Sequence, residues 1–247
     1  MLSQGVFRPE TGFYIVLVPI AAIAGFVRGF AGFGGPLVML PALNFFLPPA
    51  ASIPVMMWVD LLVNIQLLPE ARRNASLSVI TPLTIATLVA MPIGVLLLVF
   101  VDPAVMKRGI SAAILVAALV LLTGWRYRGS VGVGTWTAVG LLTGIVMGAT
   151  SLAVTAALFL HAGTQTAKQS RANFIVWVFL ATLALLFMVA LGTGFDPNLV
   201  PVIAVLGPLY FIGTVVGSRL SGRAPELLVR QIVLGLVVII AIVGILL

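Results

Sequence analysis

The sequence predicts an all-α polytopic membrane protein: two inverted-topology repeats of about five helical segments each, with interrupted or re-entrant helices at glycine-rich tips. Three observations predict it. The 247 residues are 62% hydrophobic and only 8% charged, with a mean hydropathy of +1.26, where a soluble domain would be about 25% charged. The apolar runs cover nearly the whole chain and are cut by Gly, Pro and charged clusters into pieces of helical length. Related short patterns also recur in the two halves.

The first helical piece has to break. An apolar run from Gly12 to Leu47 carries Arg28 as its sole charge. As one straight helix it would be roughly 54 Å long, against a hydrocarbon core of about 30 Å. The break is written at Gly32, Phe33, Gly34, Gly35 and Pro36. Glycines permit a tight reversal, and Pro36 suits the first turn of a new helix because its missing N–H is one that no helix uses. The second arm then offers free backbone N–H groups and a partial positive charge inside the membrane, an arrangement that binds anions without a full charge in lipid.

The remaining elements follow in order. The expected segments are 13 to 31, 36 to 48, 51 to 69, 79 to 100 and 106 to 124, then 133 to 148, 150 to 161, 167 to 192, 198 to 218 and 228 to 247. Segments 36 to 48 and 150 to 161 are shorter than the roughly 20 residues of a span, so each is a tilted crossing or one arm of a re-entrant hairpin. The first run lacks a small-residue cleavage motif and reads as a retained span, not a signal peptide. Loop charge supports this division. Ten basic residues fall on one side (Arg28, Arg72, Arg73, Arg126, Arg128, Lys168, Arg171, Arg219, Arg223 and Arg230) and three on the other (Arg8, Lys107 and Arg108). The positive-inside rule makes the first side cytoplasmic and puts both termini outside.

The repeat is weak but spans the chain. Gly25-x3-Gly29 resembles Gly140-x3-Gly144, Asp60-x3-Asn64 resembles Gln169-x3-Asn173, and Asp102 to Ile110 resembles Ala224 to Ile232. An odd number of segments per half turns the halves in opposite directions, which places a substrate site between them near the midplane, beside the interrupted helices. The repeats are expected at 1–127 and 128–247.

Several residues within this frame can carry chemistry. The tips are Gly32 to Pro36 and Gly148 to Ser151, the latter followed by Thr155 on the face of Ser151. Thr150 and Ser151 can cap a helix start; the bland alternative for all the glycines is close helix packing. Asp60 lies mid-segment with Asn64 one turn on. A carboxylate at that depth marks a proton-coupling group or an ion pair, with Arg28 or Arg171 as partner. Arg171 can present its guanidinium fork to an oxyanion, with Asn173 nearby, or snorkel to the interface. His161 reads as a loop residue.

Composition excludes other classes. Without cysteine there is no disulfide or thiolate site, and one histidine cannot form a metal cluster. Ser151 and His161 stand about 15 Å apart on a helix and no G-x-S-x-G is present, so an enzyme is not expected. The net charge of +7 is loop charge, not a nucleic-acid surface. No cofactor and no metal are expected. The partners are the lipid bilayer and a small anion, with a homo-oligomer allowed. An anion channel and a proton-coupled importer of another small anion remain alternatives.

The stretch Gly25 to Leu43, GFVRGFAGFGGPLVMLPAL, with its weaker second copy from Gly140, resembles the sulfite exporter TauE/SafE family. That family has a glycine-rich motif running into an apolar stretch ending in Pro; here Pro36 replaces the motif's last glycine. The resemblance implies transport of sulfite, sulfoacetate, thiosulfate or another small organosulfonate across the bacterial cytoplasmic membrane. Export fits the energetics, since each negative charge leaving a negative interior gains about 2.3 kcal/mol per 100 mV. On this reading Gly32, Gly34, Gly35, Asn64, Thr150, Ser151, Arg171 and Asn173 bind substrate, and Asp60 and Arg28 form a coupling group or ion pair.

Overall fold

The computed structural model describes residues 11–123, 132–162, 166–193 and 196–220, with residues 235, 238 and 242 beyond them. The described chain forms helices α1 (Thr11–Ala31), α2 (Gly35–Phe46), α3 (Pro49–Ala71), α4 (Leu77–Phe100), α5 (Pro103–Leu122), α6 (Val133–Thr150), α7 (Val154–Ala162), α8 (Ala167–Thr193) and α9 (Val200–Leu220), with one 3-10 turn at Pro197–Leu199. Each helix coincides with an expected segment to within four residues at every boundary. The expected repeat boundary at 127/128 and nearly all of the segment 228 to 247 lie outside the described residues.

All of these helices except α2 and α7 are long and apolar enough to cross a bilayer. The chain is a multi-pass membrane protein. With 12 and 9 residues, α2 and α7 reach only about 18 and 14 Å, well short of the roughly 30 Å hydrocarbon core. They are half-depth arms.

The breaks that precede these arms have local causes. Between α1 and α2, Gly32 and Gly34 take φ values of +81° and +93°, where a side chain would cost about 1–2 kcal/mol. Pro36 then falls in the first turn of α2, as its fixed φ and missing N–H favour. Between α6 and α7 no glycine does this work. Ser151 itself adopts the left-handed conformation, φ 59°, at the end of α6, a strain of order 1–3 kcal/mol that surrounding packing must hold in place. Helix α7 therefore starts at Val154 and not at residue 150, because Thr150 still belongs to α6.

Packing brings the two halves together through glycine faces. α1 lies along α9, and α6 along α4. Gly25 and Gly29 of α1 face the backbone of Tyr210 and Thr214, while Gly213 and Gly217 of α9 face that of Ala22 and Phe26. Gly140, Gly144 and Gly148 of α6 likewise face Leu83, Thr87 and Met91 of α4. In both pairs the contacts advance together along the two chains, so the helices run parallel. Between the pairs, α3 packs against α8. Ala71 at the end of α3 meets Ala172 and Ile175 near the start of α8, so these two run antiparallel. Helices α2 and α7, joined to the starts of α3 and α8, consequently enter from opposite faces.

Candidate functional site

The buried polar centre forms where α1 ends. Arg28, four residues before Gly32, is only 2% exposed and Asp60 only 7%. Arg28 Nε donates to Asp60 Oδ1 at 2.9 Å, Nη2 donates to Asn64 Oδ1 at 2.6 Å, and Nη1 donates to the Gly32 carbonyl. Asn64 Nδ2 donates to Asp60 Oδ2 at 2.9 Å, and the Tyr210 hydroxyl of α9 donates to Asp60 Oδ1 at 2.9 Å. The ring of Phe174 from α8 lies 5.4 Å from the guanidinium carbon of Arg28. Asp60 and Asn64 reach one guanidinium because residues four apart share a helical face, and the planar fork addresses three separate acceptors, one from each of its nitrogens. The pair is neutral overall, which is how a charge is tolerated at this depth.

This cluster fixes the depth of the first break. Asp60 is the central residue of α3, so the tip at Gly32 to Gly34 lies near mid-depth. Arg28 is accordingly not a cytoplasmic loop charge, as the loop assignment from sequence has it. The basic side keeps nine basic residues, and the charge asymmetry survives.

Both breaks open onto one cavity of about 30 Å³, lined at its polar end by Arg28 and Asp60, and by Gly34 and Pro36 from the first break and Ser151 to Val154 from the second. One ordered water needs about 10–15 Å³ by this measure, so the space holds only a small guest. Met56, Met57, Met147, Phe33 and Phe174 form apolar walls. Helix α2 starts at this cavity with Gly34 as its N-cap and no side-chain cap; Pro36 has no N–H and the Leu37 N–H donates to the Gly34 carbonyl at 3.0 Å, so the Gly35 N–H and the positive end of the dipole are what this end offers another acceptor.

The structure places the expected site residues unevenly. Gly34, Ser151, Asp60 and Arg28 line the cavity. Gly32 stands just behind it, beside the aliphatic part of Arg171, and Gly35 is pressed against Tyr210 and Arg28. Asn64 is fully buried and commits both ends of its amide to Arg28 and Asp60. Thr150 does not cap α7: its hydroxyl donates to the Val146 carbonyl at 2.6 Å and accepts from the Leu152 N–H at 3.2 Å. Asn173 accepts from the Ser76 N–H at 2.7 Å, tying α8 to the loop before α4. Arg171 is half-buried outside the cavity, its Nη2 3.5 Å from the Gly29 carbonyl. His161 lies in the last turn of α7, so it is helical, not a loop residue.

Sequence reasoning missed Tyr210, Phe33 and Phe174. Tyr210 carried the one usable signal, a phenol hydroxyl in the middle of an otherwise apolar segment; a buried tyrosine O–H needs a partner. The aromatic pair Phe33 and Phe174, ring centroids 6.5 Å apart, has the sequence character of ordinary core.

No curated protein and no solved structure matches the chain. The family model for sulfite exporter TauE/SafE matches residues 17–244, nearly the full length, including both broken helices and the Arg28 cluster. With that coverage, the chain belongs to the sulfite exporter TauE/SafE family.

Proposed function

We propose that the chain is a secondary transporter that exports a small sulfur-containing anion, sulfite, sulfoacetate or a similar organosulfonate, across the bacterial cytoplasmic membrane by alternating access. One observation carries the reading: two half-depth helices, entering from opposite faces, begin at the same cavity beside Arg28. Family membership supplies the class of cargo.

The site works with dipoles more than net charge. Asp60 neutralises Arg28, so the anion meets the Gly35 N–H at the uncapped start of α2, the Ser151 hydroxyl and the N–H capacity of Arg28 that Asp60, Asn64 and the Gly32 carbonyl leave. Such a site attracts an anion yet lets it go. Arg171 is not ion-paired among the described residues and stands on the cytoplasmic side of the first break, where it draws anions in. Asn64 and Asn173 act as positioning residues, the first holding Arg28 and the second holding the loop at Ser76.

The helix pairing supports inverted repeats. If α1 corresponds to α6, α3 to α8 and α4 to α9, then the α1–α9 and α6–α4 pairs are the same contact made twice, and α3–α8 is a contact with itself. Rocking the two glycine-faced pairs about the α3–α8 centre would open the cavity to either face in turn.

Efflux from proteoliposomes tests this. A labelled sulfur anion trapped inside should leave faster than from protein-free vesicles and faster still under an inside-negative potential. Ser151→Ala should slow it roughly tenfold, the weight of one hydrogen bond to a charged group. Efflux no faster than from empty vesicles would refute the reading.

A further inference from the structure

A second cavity, about 600 Å³ in volume, lies between the ends of α2 and α5 that face away from the basic side of the protein. Its size falls in the range of small-molecule sites, about 300–1,000 Å³. Four polar side chains line it: Asn44, Lys107, Arg108 and Ser111. None of them belongs to the Arg28 cluster.

Asn44 is the informative one. It is only 5% exposed; its Oδ1 accepts from the Ser52 hydroxyl, and its Nδ2 has no hydrogen-bond partner. Buried amide donors are almost always satisfied, so this one, closed over in this conformation at the edge of the cavity its residue lines, is left for an acceptor that enters beside it. Ser111, 3% exposed, sits one helical turn beyond Lys107 on the same face. Lys107 is half-buried and Arg108 exposed, and neither is ion-paired among the described residues. The nearest acid along the chain, Asp102, is engaged elsewhere: its Oδ1 accepts from the N–H groups of Ala104 at 2.9 Å and Val105 at 3.3 Å. The first amides of α5 are therefore taken, and the positive character of the cavity comes from side chains. Loop charge adds a second argument. Apart from Arg8, these are the only basic residues on the outer side of the loop assignment, the side that positive-inside sorting depletes of them.

We propose that this cavity is an outer oxyanion site, in which Lys107 and Arg108 neutralise a sulfonate, sulfite or phosphate group while Asn44 Nδ2 and the Ser111 hydroxyl donate to its oxygens. The same chemistry fits a free anion in the outer vestibule and the phosphodiester of an anionic phospholipid, whose chains would run past the exposed Phe45 and Phe46.

The test uses the purified full chain, freed of lipid in detergent, with the thermal shift titrated against methanesulfonate, inorganic phosphate, short-chain phosphatidylglycerol and short-chain phosphatidylcholine. The Lys107→Gln/Arg108→Gln double variant should bind its anionic ligand roughly tenfold or more weakly than wild type. Ser111→Ala should lose a smaller factor. The Arg72→Gln/Arg73→Gln variant removes the same charge from exposed residues on the inner face and should bind as wild type does. Weakening for the free anions identifies a vestibule site, and weakening for phosphatidylglycerol alone identifies a lipid headgroup site; either supports the proposal. An unchanged response in Lys107→Gln/Arg108→Gln, or an equal loss in Arg72→Gln/Arg73→Gln, overturns it.

Discussion

Replacing Arg28 with alanine is expected to cost about 3–5 kcal/mol of stability, the penalty for leaving one member of a buried ion pair uncompensated. For a chain of this size that is a fall in melting temperature on the order of 10 °C. The reason lies in the groups around Asp60. Arg28 removes a buried charge from isolation and also satisfies the Asn64 and Gly32 oxygens. Asp60→Ala should lose a similar amount, because it strands Arg28 at mid-depth and leaves the Tyr210 hydroxyl without its acceptor. Arg28→Met/Asp60→Leu removes both charges and should lose clearly less than the two single alanine variants together, since no unpaired charge remains. Arg28→Lys should fall between, its ammonium lacking the fork that spans three acceptors. A fluorescence-detected melting series in detergent would read all four. Strict additivity of the single losses would mean that the pair is not the unit described here.

Glycine substitution at the two parallel helix pairs gives the second large effect. A Cβ at Gly29 would overlap the Thr214 carbonyl, and one at Gly144 would overlap the Thr87 carbonyl. Backbone cannot step aside as a side-chain tip can, so Gly29→Ala and Gly144→Ala should each destabilise by about 1–3 kcal/mol or more, and valine by more again. Gly109 supplies the control. It lies within α5, and a Cβ there would have no other atom within 4 Å, so Gly109→Ala should be neutral or stabilise by up to about 1 kcal/mol through helix propensity. If Gly29→Ala and Gly109→Ala melted alike, the close α1–α9 approach would be wrong.

What the sequence shows plainly here is whatever hydrocarbon thickness and backbone chemistry decide. The described helices fall where apolar length and Gly, Pro or charge punctuation put them, and the first break sits on glycines because only they take positive φ without strain. The second break is legible in place but not in direction. Gly148 to Ser151 can end one helix or start the next, and the choice is made by Gly148 packing on Met91, a contact 57 residues away in the chain. The depth of Arg28 is hidden for a related reason: a re-entrant arm breaks the link between position in a hydrophobic run and depth in the membrane, so a charge beside a tip reads as a loop charge. Asp60 announces itself as a lone buried acid, but both arginines stay open as its partner until α1 and α3 are packed together. Tyr210, 150 residues from Asp60, belongs to a pairing that only the tertiary fold creates.

The most direct test of the central claim is ligand-induced thermal stabilisation of the purified protein, in the Lys107→Gln/Arg108→Gln background so that the outer cavity does not contribute. The panel is sulfite, sulfoacetate, taurine, thiosulfate, sulfate and a few carboxylates of matching size. A ligand that prefers the folded state raises the melting temperature, by about 2.7 kcal/mol of added stability at a hundred times its dissociation constant. The mid-depth site between the two broken helices predicts stabilisation by one or more sulfur oxyanions, lost in Ser151→Phe, which fills the cavity, and little response to carboxylates. Equal stabilisation by carboxylates, or a sulfur-anion response that survives Ser151→Phe intact, would contradict it.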